Sequence, residues 1–340
     1  MILGGEGKKV PGEAAFPSVS VVIAAFNAQQ SIAVAVRSAL CEPMVTQVIV
    51  VDDCSTDDTL KVVRSADDGS NRLIAISQSV NGGPASARNR GFGIAAGDYI
   101  AILDADDRFL PGRLAHLFAA AGSDWDLAAD NIAFIHDKTD ASAVPARATE
   151  GLGRTLGLVE FIEANISQPG RRRAELGFLK PVIRREFLQR NRLRYNPDLR
   201  LGEDFVFYVR AFLAGARFRI TTGCGYIAVE RPTSLSGLHR TQDLGALAAA
   251  DEVLLSRMDR SSAAAVAVRR HLRHVRTRFR YRSFLDLRQR IGVARALGAY
   301  ARQPIHLTSV LASYARDKTL AWSRLRPQGV SAPIRFLLEA

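Results

Sequence analysis

The sequence predicts an α/β protein with a mostly parallel central sheet, helices on both faces, and a helical C-terminal extension. Three observations carry this. Strand and helix patterns alternate through the first 135 residues, the order that builds a parallel sheet covered on both sides. Two predicted strands run straight into clustered carboxylates, one at Asp52 and Asp53, the other at Asp104, Asp106 and Asp107. The basic charge sits at one end: residues 256–340 carry 18 Lys+Arg against 4 Asp+Glu, a balance of +14, which leaves −2 of the net +12 for residues 1–255.

Taken in order, residues 1–16 hold Gly, Glu and Lys and lack the apolar core of a secretory signal. They read as a loose leader running to residue 17. Residues 19–25 are apolar and β-branched, hence a strand. Residues 30–40 set Ile32, Val36, Ala39 and Leu40 on one helical face. A strand at 47–51, a helix at 57–65 and a strand at 73–76 follow. Helices at 84–95 and 111–121 both open with Pro, where a missing N–H costs nothing. Between them, residues 99–103 form the fourth strand. Residues 140–180 are mixed, with the basic run Arg171-Arg172-Arg173 and a helix at 157–165. A helix at 203–214 and a strand at 218–221 come next, and beyond about 240 the pattern is helical, clearest at 244–258 and 263–287.

With 340 residues, 47% hydrophobic and 24% charged, the chain has the composition of a soluble globular protein. No apolar run approaches the ~18 residues of a membrane span. Cys41, Cys54 and Cys224 are far apart, odd in number and match no zinc spacing, which fits a reducing cytoplasm.

The chemistry is concentrated where the strands end, the edge at which open α/β sheets bind ligands. Buried strands do not ordinarily end in several carboxylates, because close anions repel. Asp104 and Asp106 form an Asp-x-Asp pair whose hard oxygens suit Mg²⁺ or Mn²⁺. A metal with few protein ligands can still take diphosphate oxygens. The plain alternative is an acidic loop in which Asp106 or Asp107 caps the next helix. At the second strand, Ser55, Thr56 and Asp57 are good N-cap residues, whereas Asp52 and Asp53 exceed what a cap requires. A carboxylate there can accept a hydrogen bond from a uracil N3–H or a ribose hydroxyl.

Four motifs in order resemble the family 2 glycosyltransferases of the GT-A fold. They are Val21-Val22-Ile23-Ala24-Ala25-Phe26-Asn27, Asp52-Asp53-Cys54-Ser55-Thr56-Asp57, Asn81-Gly82-Gly83-Pro84-Ala85-Ser86-Ala87-Arg88-Asn89-Arg90-Gly91, and Leu103-Asp104-Ala105-Asp106-Asp107. The resemblance is strong over residues 18–120 and thins out to about 240. It implies a catalytic domain at 18–240, with a donor half to about 135 and an acceptor half beyond, and a basic helical region at 241–340. It implies that Ala24, Phe26 and Asp53 line the base pocket, with Asp53 on the uracil and Asn27 among the nucleotide contacts. Asp104 would meet the ribose, and Asp106 the Mn²⁺ or Mg²⁺. Arg88 would lie near the nucleotide, holding Asp53 or the diphosphate, or else pair with a strand-end aspartate. The family usually has Pro-x-Tyr-Asn after the first strand; Ala24-Ala25-Phe26-Asn27 departs from it, and Phe26 can stack on a base but donates no O–H.

Inverting transfer needs a carboxylate opposite the leaving UDP to take the acceptor's proton. The family carries a Glu-Asp pair where this chain has Glu203-Asp204, which implies Asp204 as the base, its proton affinity raised by Glu203 if both are poorly solvated. A loop over 226–236 and His239 follows, where Arg231 could contact phosphate and His239 phosphate or metal. The alternatives are helix N-terminal charge for the acidic pair and an ordinary surface loop for the rest. In the tail, Arg269, Arg270, Arg273, Arg276, Arg278, Arg280 and Arg282 crowd a helix that sets Val268, Leu272, Val275 and Phe279 on one face. A basic amphipathic helix suits anionic lipid, and no nucleic-acid motif accompanies it. The same face could instead pack as a homodimer interface.

The implied function is transfer of a hexose, glucose, from a UDP-sugar to a lipid-linked oligosaccharide, with the enzyme peripheral on the cytoplasmic membrane. The likeness is greatest to bacterial exopolysaccharide glucosyltransferases of succinoglycan type; lipopolysaccharide or other cell-surface glycan assembly is the alternative. A nucleotidyltransferase would want a Gly-rich, Lys-bearing phosphate loop after the first strand, which is missing. A non-catalytic membrane- or nucleic-acid-binding protein would tolerate loss of Asp106 and Asp204.

Overall fold

The computed structural model describes residues 17–136, 144, 152–167, 175–230, 240–301, 308, 310–314 and 334–338. The expected leader up to residue 16, the run Arg171-Arg172-Arg173, and both Arg231 and His239 lie outside the described residues.

The first half follows the predicted alternation: β1 (Val19–Ala25), α1 (Ile32–Leu40), β2 (Val45–Asp52), α2 (Thr59–Ser65), β3 (Leu73–Ser77), α3 (Gly83–Ile94) and β4 (Tyr99–Asp104). β1 lies between β2 and β4, parallel to both, and β3 pairs parallel to β2. These strands are nearly continuous runs of Val, Ile, Leu and Ala because helices cover both faces. α3 presses close on β1: a Cβ at Gly91 would lie 2.4 Å from Val22 Cγ1, so only glycine fits there.

β5 (Arg108–Phe109) and α4 (Arg113–Ala121) come next. The alternative in which Asp106 or Asp107 caps α4 is not what forms. Glu42, from the turn after α1, accepts the N–H groups of Gly112 at 2.7 Å and Leu114 at 2.9 Å. The Asp-rich turn is thereby left for other work.

The second half adds β6 (Leu127–His136), β7 (Arg154–Leu156), α5 (Leu158–Ala164), β8 (Val182–Arg184), α6 (Arg185–Arg190), α7 (Glu203–Leu213) and β9 (Phe218–Glu230). The sheet runs β3-β2-β1-β4-β8-β6-β9-β5. The short β8 joins the halves, antiparallel to both β4 and β6, while β6 and β9 run parallel. The strand expected at 218–221 continues to Glu230, so Tyr226 to Glu230 is strand and not the expected loop. Its continuation is specified by β5 on one edge and β6 on the other.

α8 (Thr241–Ser256), α9 (Ala263–Ile291) and α10 (Val293–Ala301) form the helical extension. Val268, Leu272 and Val275 of α9 are buried in the main core and Phe279 packs against it. The apolar face expected on α9 is packed against α5 and α8, and Arg270, Arg273 and Arg276 lie on its exposed side. No helix of the described residues is long and apolar enough to cross a membrane. A last strand, β10 (Ile334–Phe336), was not expected; it pairs antiparallel to β6. Asn131 of β6 clamps it, accepting the Leu338 N–H and donating to the Leu338 carbonyl, both at 2.7 Å.

Candidate active site

β1, β2 and β4 end side by side: Ala24 is in register with Val51 and Asp104, and Ala25 with Asp52. The chain leaves β1 through Phe26 and Asn27. Asn27 takes a left-handed conformation (φ 50°), which asparagine tolerates. Its side-chain oxygen accepts the Thr56 N–H at 2.8 Å, and its own N–H donates to Ser55 Oγ at 2.9 Å. Ser55 and Asp57 thus brace the β1 exit loop, Asp57 also accepting the Gln29 and Thr59 N–H groups. They cap less of α2 than their types predict. Phe26 is left 45% exposed at the mouth of the site.

Asp53 is buried against the first turn of α3. Oδ1 accepts from Gly82 N–H at 2.8 Å and Gln78 Nε2 at 2.6 Å, and Oδ2 from Gly83 N–H at 2.7 Å. A carboxylate at a helix N-terminus satisfies donors that have no partner inside the helix. Asp53 therefore anchors α3, and Arg88 does not reach it.

Arg88 points the other way. Its Nη2 lies 2.8 Å from Asp104 Oδ1; its Nη1 lies 3.2 Å from Asp204 Oδ1 and 3.4 Å from Glu203 Oε1. The pairing with a strand-end aspartate is thus the alternative that forms, and it extends across the molecule to α7. The sequence reading missed Lys180, whose Nζ lies 3.0 Å from both Asp104 Oδ2 and Asp204 Oδ2. It also missed Tyr195, whose hydroxyl donates to Asp204 Oδ1 at 2.9 Å. Asn89, one position past Arg88, holds Tyr195 by exchanging two hydrogen bonds with its backbone. One signal for Lys180 was present: a lone cation within Phe178-Leu179-Lys180-Pro181-Val182-Ile183 must be paired if that run is buried.

The charges shift one another. Burial opposes ionisation of Asp104, but the Lys180 ammonium and Arg88 guanidinium outweigh it and hold the carboxyl well below the usual range. Burial would likewise strip the proton from Lys180, yet Asp104 and Asp204 hold it on. Burial, then the Asp204 anion, push Glu203 up against the opposing Arg88. Asp107 is pushed well above the carboxylate range by burial and then by the charges of Asp104 and Asp106. It accepts the Tyr226 hydroxyl at 2.7 Å and the Val229 N–H at 3.0 Å, tying the turn to β9.

That crowding of negative charge is what a divalent cation relieves. Asp106, half-buried on the same turn, offers the hard oxygen donor such an ion takes. Among the described residues no three His, Cys, Asp or Glu side chains converge as a metal cage. A cation held by Asp106 would draw its remaining oxygens from substrate and water, the manner of Mg²⁺ with phosphates. The residues present fit that arrangement.

The comparisons with known proteins agree with this geometry. Residues 20–186 match the family model described as glycosyl transferase family 2. The succinoglycan biosynthesis protein ExoU of Rhizobium meliloti (strain 1021) is 47% identical over 336 residues, 96% of each chain. ExoO of the same organism is 36% identical over 329 residues, 93% of this chain and 91% of that one. Among solved structures, S. aureus TarS 1-349 in complex with UDP-GlcNAc superposes with TM-score 0.62 at 20% identity, covering 83% of this chain and 80% of that one. The Pyrobaculum calidifontis mannosyltransferase PcManGT in complex with GDP-Man and Mn²⁺ superposes with TM-score 0.52 at 17% identity, covering 91% and 81%. The last two are likenesses of fold.

Proposed function

The chain belongs to glycosyltransferase family 2 and has the GT-A fold, and on that premise we propose that it is an inverting enzyme that moves a hexose, glucose, from a UDP-sugar to a lipid-linked oligosaccharide in exopolysaccharide assembly. The two succinoglycan biosynthesis relatives support the exopolysaccharide setting. The observation that carries the chemistry is the meeting of Asp104 from the donor half and Asp204 from the acceptor half on the same two cations, Arg88 and Lys180.

In this reading the nucleobase stacks on exposed Phe26, beside Ala24 and Asn27, with the Asp53 carboxylate at its edge. Asp104 meets the ribose. Asp106 would hold Mn²⁺ or Mg²⁺, which when bound stabilises charge on the departing diphosphate; the resemblance gives Arg231 a phosphate contact and His239 a phosphate or metal contact. Asp204 takes the proton of the attacking hydroxyl, and Arg88, Lys180 and Tyr195 orient its carboxylate for that transfer. Glu203, with its raised proton affinity, sits beside it as a second carboxylate. The acceptor's lipid brings the enzyme to the cytoplasmic membrane surface, where outward arginines of α9 such as Arg270, Arg273 and Arg276 are drawn to anionic headgroups.

The test is calorimetry of UDP, GDP and ADP with and without Mn²⁺, followed by transfer assays. UDP alone should bind, and only with Mn²⁺. Asp106→Asn should weaken that Mn²⁺-dependent binding at least about tenfold by removing an anionic ligand. Asp204→Asn should keep the UDP affinity and lose about 10²- to 10⁴-fold in transfer, the usual worth of a general base. Binding of none of the three nucleotides, or wild-type turnover by Asp204→Asn, would overturn the reading.

A further inference from the structure

Four groups close a ring of alternating charge. Arg88 Nη2 meets Asp104 Oδ1 at 2.8 Å, Asp104 Oδ2 meets Lys180 Nζ at 3.0 Å, Nζ meets Asp204 Oδ2 at 3.0 Å, and Asp204 Oδ1 meets Arg88 Nη1 at 3.2 Å. Each carboxylate uses both oxygens, so neither can turn without losing a contact to a buried cation. The two cations are not equivalent. Arg88 comes from α3, inside a motif of the donor half, and Tyr195 seconds its hold on Asp204 Oδ1. Lys180 stands just before β8, the strand that joins the halves, and alone among the described residues it grips Oδ2.

Its backbone is fixed from two sides. The buried guanidinium of Arg113 in α4 donates to the Lys180 carbonyl at 2.8 Å, and the Tyr208 hydroxyl of α7 donates to the Leu179 carbonyl at 2.8 Å. A buried ammonium is expensive, and a lysine is needed here only because Asp104 and Asp204 are charged; apolar side chains in place of the whole cluster would fold at least as well. The stability of the fold alone does not account for a lysine here.

We propose that Lys180 is a positioning residue of the transfer reaction: it fixes the carboxylate of Asp204 relative to that of Asp104, and so sets the attacking hydroxyl in line with the sugar whose nucleotide Asp104 holds. The proposal rests on the roles given above to Asp104 and Asp204. Without the ammonium, Asp204 is held through Oδ1 only and swings about that oxygen. A misplacement on the order of 1 Å costs about 10²-fold in rate.

The test compares wild type, Lys180→Met, Lys180→Arg and Asp204→Asn in UDP calorimetry and in transfer to acceptor. Lys180→Met keeps the length and removes the charge. Its kcat should fall about 10²-fold while the Kd for UDP stays within about threefold of wild type. Its crystal structure should have the Asp204 carboxylate rotated away from Asp104. Wild-type kcat in Lys180→Met, a loss of UDP affinity as large as the loss of kcat, or unchanged carboxylate positions would each overturn the proposal. If Lys180→Met does not fold, Lys180→Arg keeps the cation but enlarges its corner of the ring. It should lose about tenfold in kcat at unchanged UDP affinity, because alignment and not charge alone is what is lost; wild-type kcat there would overturn the proposal too. Asp204→Asn separates the two claims. If it is inactive while Lys180→Met turns over normally, only the role of Lys180 fails; if it turns over normally, the base assignment fails and the role of Lys180 with it.

Discussion

Glu203 holds its proton more tightly in the folded protein than in the unfolded chain, because burial and then the Asp204 anion outweigh Arg88. The linkage has a definite sign. A carboxyl whose folded pKa is raised contributes its stability below the unfolded value, about 4.3 for Glu, and that contribution is lost as pH rises through the folded value. At neutral pH the Glu203 carboxyl is therefore a net cost to the fold. Glu203→Gln should raise the melting temperature at pH 7.5, and the gain should fade as the pH is lowered towards about 4; thermal scans across that range check it, and a gain that grows on acidification would contradict it. The carboxylates of this site were legible because acids at the tip of an apolar strand or the start of an apolar helix stand out. Lys180 left only the faint signal of a lone cation in an apolar run and Tyr195 left none, since what they hold is fixed by contacts with Asp104 and Asn89 far away in sequence. The roles of Arg88 and Asp53 were half legible: both types mark a nucleotide site, and the structure adds what their types did not show, the pairing of Arg88 with Asp104 and Asp204 and the hold of Asp53 on α3.

Among the elements, α3 carries more than its length suggests. Its first turn is fastened to Asp53, Arg88 and Asn89 reach into the acceptor half, and Gly91 lets the whole helix lie against β1. Gly91→Ala adds a methyl that would sit 2.4 Å from Val22 Cγ1. Overpacking of this kind costs about 1–3 kcal/mol, against which alanine's better helix propensity returns up to about 1 kcal/mol. The urea midpoint should fall, and UDP affinity should fall with it, because Asp53 and Arg88 move together with the helix. Helices and strands of the first half were read closely because their periodicity is local. β9 was cut short at Thr221 because its second half, through Gly223 and Gly225, lacks a strand signal of its own and is held by β5 and β6. α9 was recognised as amphipathic, but its pattern alone does not say whether a bilayer or α8 covers the apolar side.

At the scale of the molecule, the proposed membrane contact falls to the arginine face of α9. Attraction without insertion depends on salt. Binding to phosphatidylglycerol-containing vesicles should be strong in dilute buffer and vanish near about 1 M NaCl, where the screening length is about 3 Å; sedimentation with vesicles measures it, and salt-resistant binding would argue for an inserted apolar segment. The other long-range device is the clamp of Asn131 on Leu338. Removing residues from 331 onward leaves the Asn131 side-chain N–H without its partner, while its oxygen keeps the Ile132 N–H; the one unsatisfied group costs about 1–3 kcal/mol, besides the lost pairing of β10 with β6. The truncated chain should melt several degrees lower, and Asn131→Ala in the full chain should reproduce part of the drop.

β6 has β9 along one side, while on the other β8 covers Leu127 and Ala128, and β10 covers Ala133 to Ile135. The strand that closes this edge is made about 200 residues after β6, which at about 5–20 residues per second leaves a gap of about 10–40 s during synthesis. Throughout that interval the nascent chain carries an apolar strand edge with open hydrogen-bonding groups, which a neighbouring chain on the same message could capture. Yield of the soluble protein should therefore depend on how fast the last segment emerges and how crowded the ribosomes are, independently of the stability of the finished fold.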